Sequence, residues 1–301
     1  MNKKVSNVEQ LCSVRKLKFY DGKENNDRIL EVNNGCLSFM LLQDRGLDIH
    51  SLYYKGMNVS YISKNGICGF ETDFRHRFNG GMLYTCGLKG LGLVGNEPMH
   101  GRYHNTPSNL ESIKCDENGV EIVASTYEST FGKKLKLTRK ISCEQGSSKI
   151  LIENTIKNEA FTDDNYCILF HMNIGYPMLD SGVEIVAPIK DTVARNDCAQ
   201  QGIDECLIMS EPIDGGREQC YYHFLEEGRV EVVNHKLRKK IIFTYDLDKL
   251  PYFVEWKYMI SGDYALGIEP TTSMLDDKFA LKTIKSQEEV KINVAIEIQE
   301  F

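Results

Sequence analysis

The tetrapeptide Gly267-Ile268-Glu269-Pro270 sets a carboxylate at the end of the apolar run Tyr264-Ala265-Leu266-Gly267-Ile268. Desolvation disfavours the charged form of such a group, so its pKa rises and it can accept and return protons near neutral pH. The proline that follows stops strand pairing and leaves the carboxylate at a sheet rim. Two other stretches offer it partners. In Ile168-Leu169-Phe170-His171-Met172-Asn173 an imidazole interrupts an apolar run; on a strand its ring lies opposite Phe170, and Asn173 shares its face, which predicts a wet, concave surface. In Asn96-Glu97-Pro98-Met99-His100-Gly101-Arg102 a turn carries an imidazole and a guanidinium beside a glycine that lets the backbone approach a ligand closely. Together the three predict acid–base chemistry on a neutral, hydroxyl-rich ligand.

Each stretch alone has a plainer explanation. A histidine in an apolar run is more often a satisfied core group than a catalyst, a strand-end carboxylate can simply receive backbone hydrogen bonds, and His-Gly is ordinary turn chemistry. Further candidates share this double reading. The sole tryptophan, in Phe253-Val254-Glu255-Trp256-Lys257, could stack on the C–H face of a sugar ring or fill a core. Arg75, His76 and Arg77 could place one guanidinium over ligand hydroxyls or decorate a helical turn. Asp44-Arg45-Gly46-Leu47-Asp48 reads as a surface hairpin in which Asp44 and Arg45 satisfy each other.

The elements that must hold these groups are strands. Runs at 28–32, 37–43, 120–124, 134–141, 149–156, 167–174, 229–233, 240–245, 252–258, 264–268 and 290–298 carry strand signals, and Leu135-Lys136-Leu137-Thr138-Arg139-Lys140-Ile141 alternates as a sheet with one buried face requires. Turn sequences such as Asn33-Asn34-Gly35, Asp116-Glu117-Asn118-Gly119 and Ser261-Gly262-Asp263 separate them. No long amphipathic helix competes; Glu71 to Arg77 and Ser273 to Phe279 could each form a helical turn. The expectation is an all-β fold of antiparallel meanders in one domain over residues 1–301. The glycine-rich stretch from Phe78 to Pro107 stands out as a long, functional surface segment.

Composition narrows the function. A net charge of −7 and a pI near 5.6 give no footprint for phosphate backbones, and the short basic run Lys236 to Lys240 reads as a solvated turn. The N-terminus lacks the apolar core of a signal peptide, and no stretch reaches the length of a spanning helix. Ten cysteines are scattered singly, without a Cys-x-x-Cys pair, as expected of free thiols in a reducing compartment. The chain is therefore expected to be cytoplasmic, with a small-molecule sugar as partner, no nucleic acid and no membrane; a homodimer stays open. No dinucleotide fingerprint, P-loop, nucleophile elbow or His-Glu-x-x-His is present.

Four landmarks resemble the aldose 1-epimerase family, the galactose mutarotase-like group, in particular its divergent bacterial branch. They are Arg77-Phe78-Asn79-Gly80-Gly81-Met82-Leu83-Tyr84-Thr85-Cys86-Gly87-Leu88, His100-Gly101-Arg102, the stretch from His171 to Leu179, and Tyr264-Ala265-Leu266-Gly267-Ile268-Glu269-Pro270-Thr271, in the expected order over most of the chain. The resemblance implies a β-supersandwich of two large twisted antiparallel sheets with an open sugar cleft, and epimerisation at the anomeric carbon without cofactor or metal. It implies Glu269 as general base, His171 as general acid and His100 as a helper at the ring oxygen; Arg77, Arg102, Asn173, Glu255, Trp256 and His223 are the residues expected to bind the sugar. Two features depart from the family pattern. Arg102 stands where a second glycine is usual, and the sugar-binding aspartate has no clear counterpart: Asp214 precedes Gly215-Gly216, and Tyr222-His223 occupies its expected place. Hexoses, pentoses, deoxy sugars and acidic or phosphorylated sugars all stay open, as do a sugar sensor without turnover and a lyase or ketose isomerase on the same scaffold. The geometry required is convergence of Glu269, His171 and His100 on one cavity with Arg77 or Arg102 at its wall, and His50, His104 and His235 outside it.

Overall fold

The structure is a computed structural model that describes residues 3–69 and 73–301. Its strands form three antiparallel sheets of five, eight and seven strands, an all-β sandwich. The eight-stranded sheet runs, edge to edge, from Glu184–Val186 through the long strands Glu289–Glu300, Lys149–Asn158, Lys133–Glu144 and Gly119–Thr130 to Asn109–Asp116. Alternation explains it: in Lys133–Glu144 the residues Leu135, Leu137, Arg139 and Ile141 are buried while their neighbours are half-exposed or exposed. The seven-stranded sheet orders Ile189–Ala194, Gln219–Leu225, Tyr252–Ile260, Asp263–Thr271, Asp164–Ile174 and Lys282–Ile284, with Tyr84–Leu88 also pairing Asp164–Ile174. The five-stranded sheet spans Ser13–Lys18 to Met57–Asn58, so a third sheet joins the two large ones expected.

One apolar core runs through all three sheets, from Leu37 and Phe39 to Ile141, Ile168, Phe170, Phe253, Ile268 and Ile296. Every predicted strand forms. The strands without a readable signal are buried on both faces, as in Asp48–Tyr54 and Tyr84–Leu88, or lie at a polar edge, as in Ser13–Lys18. Phe74–Arg77 is a helical turn; Glu71, where that turn was expected to begin, lies outside the described residues. A second short turn covers Asp276–Lys278. Among the described residues no helix is long and apolar enough to cross a membrane, and all ten cysteines are free.

Arg45 corrects one expectation. It is buried at 2% exposure and its guanidinium donates to the carbonyls of Cys68 and Arg77 and to Asn79, while Asp44 receives Arg28 Nε at 2.9 Å instead. The five-residue stretch is thus an anchor for the loop before Phe78. A buried guanidinium needs several acceptors at once, which one adjacent aspartate cannot supply.

Candidate active site

The outer face of the seven-stranded sheet holds the site, and strand alternation selects its residues. On Asp164–Ile174 the core takes Ile168, Phe170 and Met172, so His171 points the other way. On Asp263–Thr271 the core takes Leu266 and Ile268, leaving Gly267 and Glu269 on the outer face. These strands pair with Leu169 opposite Thr271 and Met172 opposite Ile268. His171 and Glu269 therefore occupy facing positions, and their side chains meet with His171 Nε2 3.1 Å from Glu269 Oε1. Gly267 makes the room: a Cβ there would lie 2.8 Å from Glu269 Oε1 and 3.1 Å from His171 Cε1.

A cavity of 170 Å³ opens above this pair, lined by both residues together with His100, Arg195, Glu218 and Trp256 among others. The His171 ring packs between Phe78 and Trp256, with centroids 5.4 and 5.3 Å away. His100 stands across the cavity, 6.5 Å from His171 between ring centroids. Gly92 N–H donates to His100 Nδ1 at 3.4 Å, which leaves Nε2 as the protonated nitrogen of the neutral ring. The turn behind it is held tightly, because Gly101 has φ +77° and a Cβ would collide with Gly87 O.

Burial sets the protonation of these groups. It pushes the Glu269 carboxyl up to about 8, Glu218 adding to the effect and Arg195 opposing it. Burial, with His100 nearby, pushes His171 down to about 3; burial and then Arg195 bring His100 down to about 4. The two shifts on the touching pair favour the same state, a proton on Glu269 and a neutral imidazole on His171. Arg195 spans the cavity wall, its Nε and Nη2 donating to Asp276 Oδ2 and Oδ1 at 2.7 and 2.9 Å, and Glu218 accepts from Trp256 Nε1 at 3.2 Å.

Of the residues expected to bind a ligand, only Trp256 lines this cavity. Arg102 is half-exposed and paired with Glu97. Arg77 is buried beside Arg45, with Nη1 3.5 Å from Gly69 O. Asn173 is fully buried, donating to Gly81 O at 2.9 Å and His171 O at 3.1 Å, so it steadies the His171 strand from within. Glu255 cannot share a ligand with Trp256, because consecutive strand residues face opposite ways. It points into the sandwich, where Glu255 Oε2 lies 2.9 Å from His223 Nε2. His50, His104 and His235 lie outside the cavity lining, as expected.

Arg195, Glu218 and Asp276 were not singled out from the sequence. Arg195 directly follows the weak strand Ile189–Ala194, Glu218 follows the turn Gly215-Gly216, and Asp276 sits just beyond the Glu269 strand. Only the sheet order brings them together.

The chain belongs to the family described as a domain of unknown function, DUF4432, whose sequence model matches residues 24–297. No curated protein matches it. Among solved structures it is similar to a proposed aldose 1-epimerase from Klebsiella pneumoniae, with TM-score 0.87 and 21% identity over 96% of this chain and 84% of that one. It is also similar to a galactose mutarotase-like protein from Clostridium acetobutylicum, TM-score 0.73 and 14% identity over 97% and 100%. A proposed aldose 1-epimerase from Escherichia coli K12 gives 0.66 and 10% over 96% and 100%. At these identities the shared property is the fold, the galactose mutarotase-like sandwich.

Proposed function

We propose that this protein interconverts the α and β anomers of a free, neutral sugar by acid–base ring opening and reclosure. The observation that carries this reading is the contact of His171 with Glu269 at 3.1 Å inside one cavity that His100 also lines. Opening a hemiacetal removes a proton from the C1 hydroxyl and delivers one to the ring oxygen. Both oxygens are bonded to the same carbon, so the two groups exchanging protons with them must be neighbours. Glu269 takes the hydroxyl proton, His171 supplies the other, and His100 Nε2 steadies the ring oxygen from across the cavity. Rotation about C1–C2 turns the aldehyde, and closure with the roles reversed yields the other anomer.

Before a sugar binds, burial favours the proton on Glu269. Hydroxyl donors from the sugar stabilise the carboxylate form and move that proton toward His171, which is the state the reaction uses. Because the pair has the same total charge in both states, the transfer needs no ion from solution. The charges around it favour a neutral ligand: the cation at the wall, Arg195, already forks onto Asp276, and Glu218 adds a carboxylate. A phosphorylated or acidic sugar would meet two carboxylates with no uncommitted cation. A binding role without turnover would account for Trp256 but would leave a buried, protonated carboxyl without a task.

The test is anomer exchange followed by NMR across a panel of neutral aldoses. Acceleration above buffer for at least one of them, abolished in His171→Asn, is the expected result. Binding without acceleration for every sugar would replace the enzyme by a sensor.

A further inference from the structure

The catalytic cavity shares Glu218 with a second, larger depression. This outer space measures 500 Å³ against 170 Å³ for the inner one, and its lining includes Asn196, Asp197, Arg217, Glu218 and Tyr258. The partition between the two is aromatic. Trp256 lines the inner cavity, and Tyr258, two residues along the same strand and on the same face, lines the outer one. Their rings stack with centroids 5.2 Å apart and planes inclined by 14°. Glu218 sits at the seam, accepting from the Trp256 indole at 3.2 Å.

We propose that the outer depression is a second sugar subsite, and that the preferred substrate is a reducing disaccharide or similarly glycosylated aldose. Its reducing unit would occupy the inner cavity and its second unit would lie against Tyr258. This rests on the reading of the inner cavity given above. Anomer exchange requires only that the C1 hydroxyl be free, so a unit attached elsewhere on the ring does not obstruct the chemistry. The inner cavity is small, and an appended ring has to leave it through a region that can receive one. Tyr258 offers a half-buried aromatic surface to the C–H face of a pyranose. Arg217, Asn196 and Asp197 offer donors and acceptors for its hydroxyls, with charges of both signs that suit a neutral polyol and not an anion. Contacts with this remote unit would position the reacting one.

The experiment compares matched pairs, glucose with maltose and cellobiose, galactose with galactobiose, and xylose with xylobiose. Anomer exchange and saturation-transfer NMR are read for the wild type, Tyr258→Ala and Arg217→Ala. At least one disaccharide should show kcat/KM about tenfold above its own monosaccharide. Tyr258→Ala should erase most of that advantage and Arg217→Ala part of it, with monosaccharide exchange unchanged in both. Equal kcat/KM for every pair, or equal losses on both members of a pair, would overturn the subsite while leaving the anomer reading intact. Should no sugar exchange faster than buffer, a saturation-transfer preference for a disaccharide that Tyr258→Ala removes would uphold the subsite and reject the inner chemistry; no such preference would reject the subsite as well.

Discussion

The seven-stranded sheet carries a buried His–Glu pair on each face, and the two differ in what surrounds them. On the outer face His171 and Glu269 meet at 3.1 Å under an open cavity. On the inner face His223 and Glu255 are both fully buried, and both His223 nitrogens are used, Nδ1 with Thr192 Oγ1 and Nε2 with Glu255 Oε2, each at 2.9 Å. Lys257 lies on the same inner face and donates to three carbonyls, of Glu205, Cys206 and Ile208. Identical residue types at similar separation thus serve two purposes. The inner pair ties the edge strand, through Thr192, to the strands of His223 and Glu255; the outer pair lies under a cavity that a ligand can reach.

The comparison is sharpened first by the rate. Glu269→Gln should lower kcat for anomer exchange by about 10²–10⁴-fold, measured by NMR at saturating sugar. On the inner face Glu255→Ala removes one partner of a buried pair and should cost about 3–5 kcal/mol of stability, measured by urea unfolding. Activity per folded molecule should stay near wild type. A large loss of specific activity in folded Glu255→Ala would break the division between the two faces.

The next largest effects concern pH. Because the Glu269 pKa is raised from 4.5 to about 8, the folded protein holds a proton there that the unfolded chain has released. Stability from this group is thus greatest below about 4.5 and falls as pH rises toward 8. Glu269→Gln should therefore be more stable than wild type at pH 8, by on the order of 4 kcal/mol, and the gain should vanish near pH 4.5. Calorimetry at the two pH values checks it. The same group predicts that kcat/KM falls as pH rises through an apparent pKa near 8, because the pair then loses the one proton it shares. The smallest effect expected is that of Gly267→Ala. Its methyl would press on Glu269 and His171, and a roughly tenfold loss of kcat with little change in KM should follow from the misplaced pair.

Much of this arrangement is legible from the residues. His171 and Glu269 stand out because each puts a polar group into an apolar run, and alternation on their strands assigns both to the outer face. The same rule, applied to Glu255 and Trp256, separates a core residue from a cavity residue one position apart. Arg195, Glu218 and Asp276 could not be read, because turns and strand ends give no local signal and they meet only through a sheet order that pairs distant segments. The strand Gln219–Leu225 escaped for a related reason: five of its seven residues are buried, so no alternation marks it.

The most direct test of the central claim is anomer exchange by NMR on three proteins side by side, the wild type, Glu269→Gln and Glu255→Gln, each first shown to be folded. The account predicts exchange above buffer in the wild type and in Glu255→Gln, and exchange near buffer in Glu269→Gln. Undiminished exchange in Glu269→Gln, or loss confined to Glu255→Gln, would contradict it.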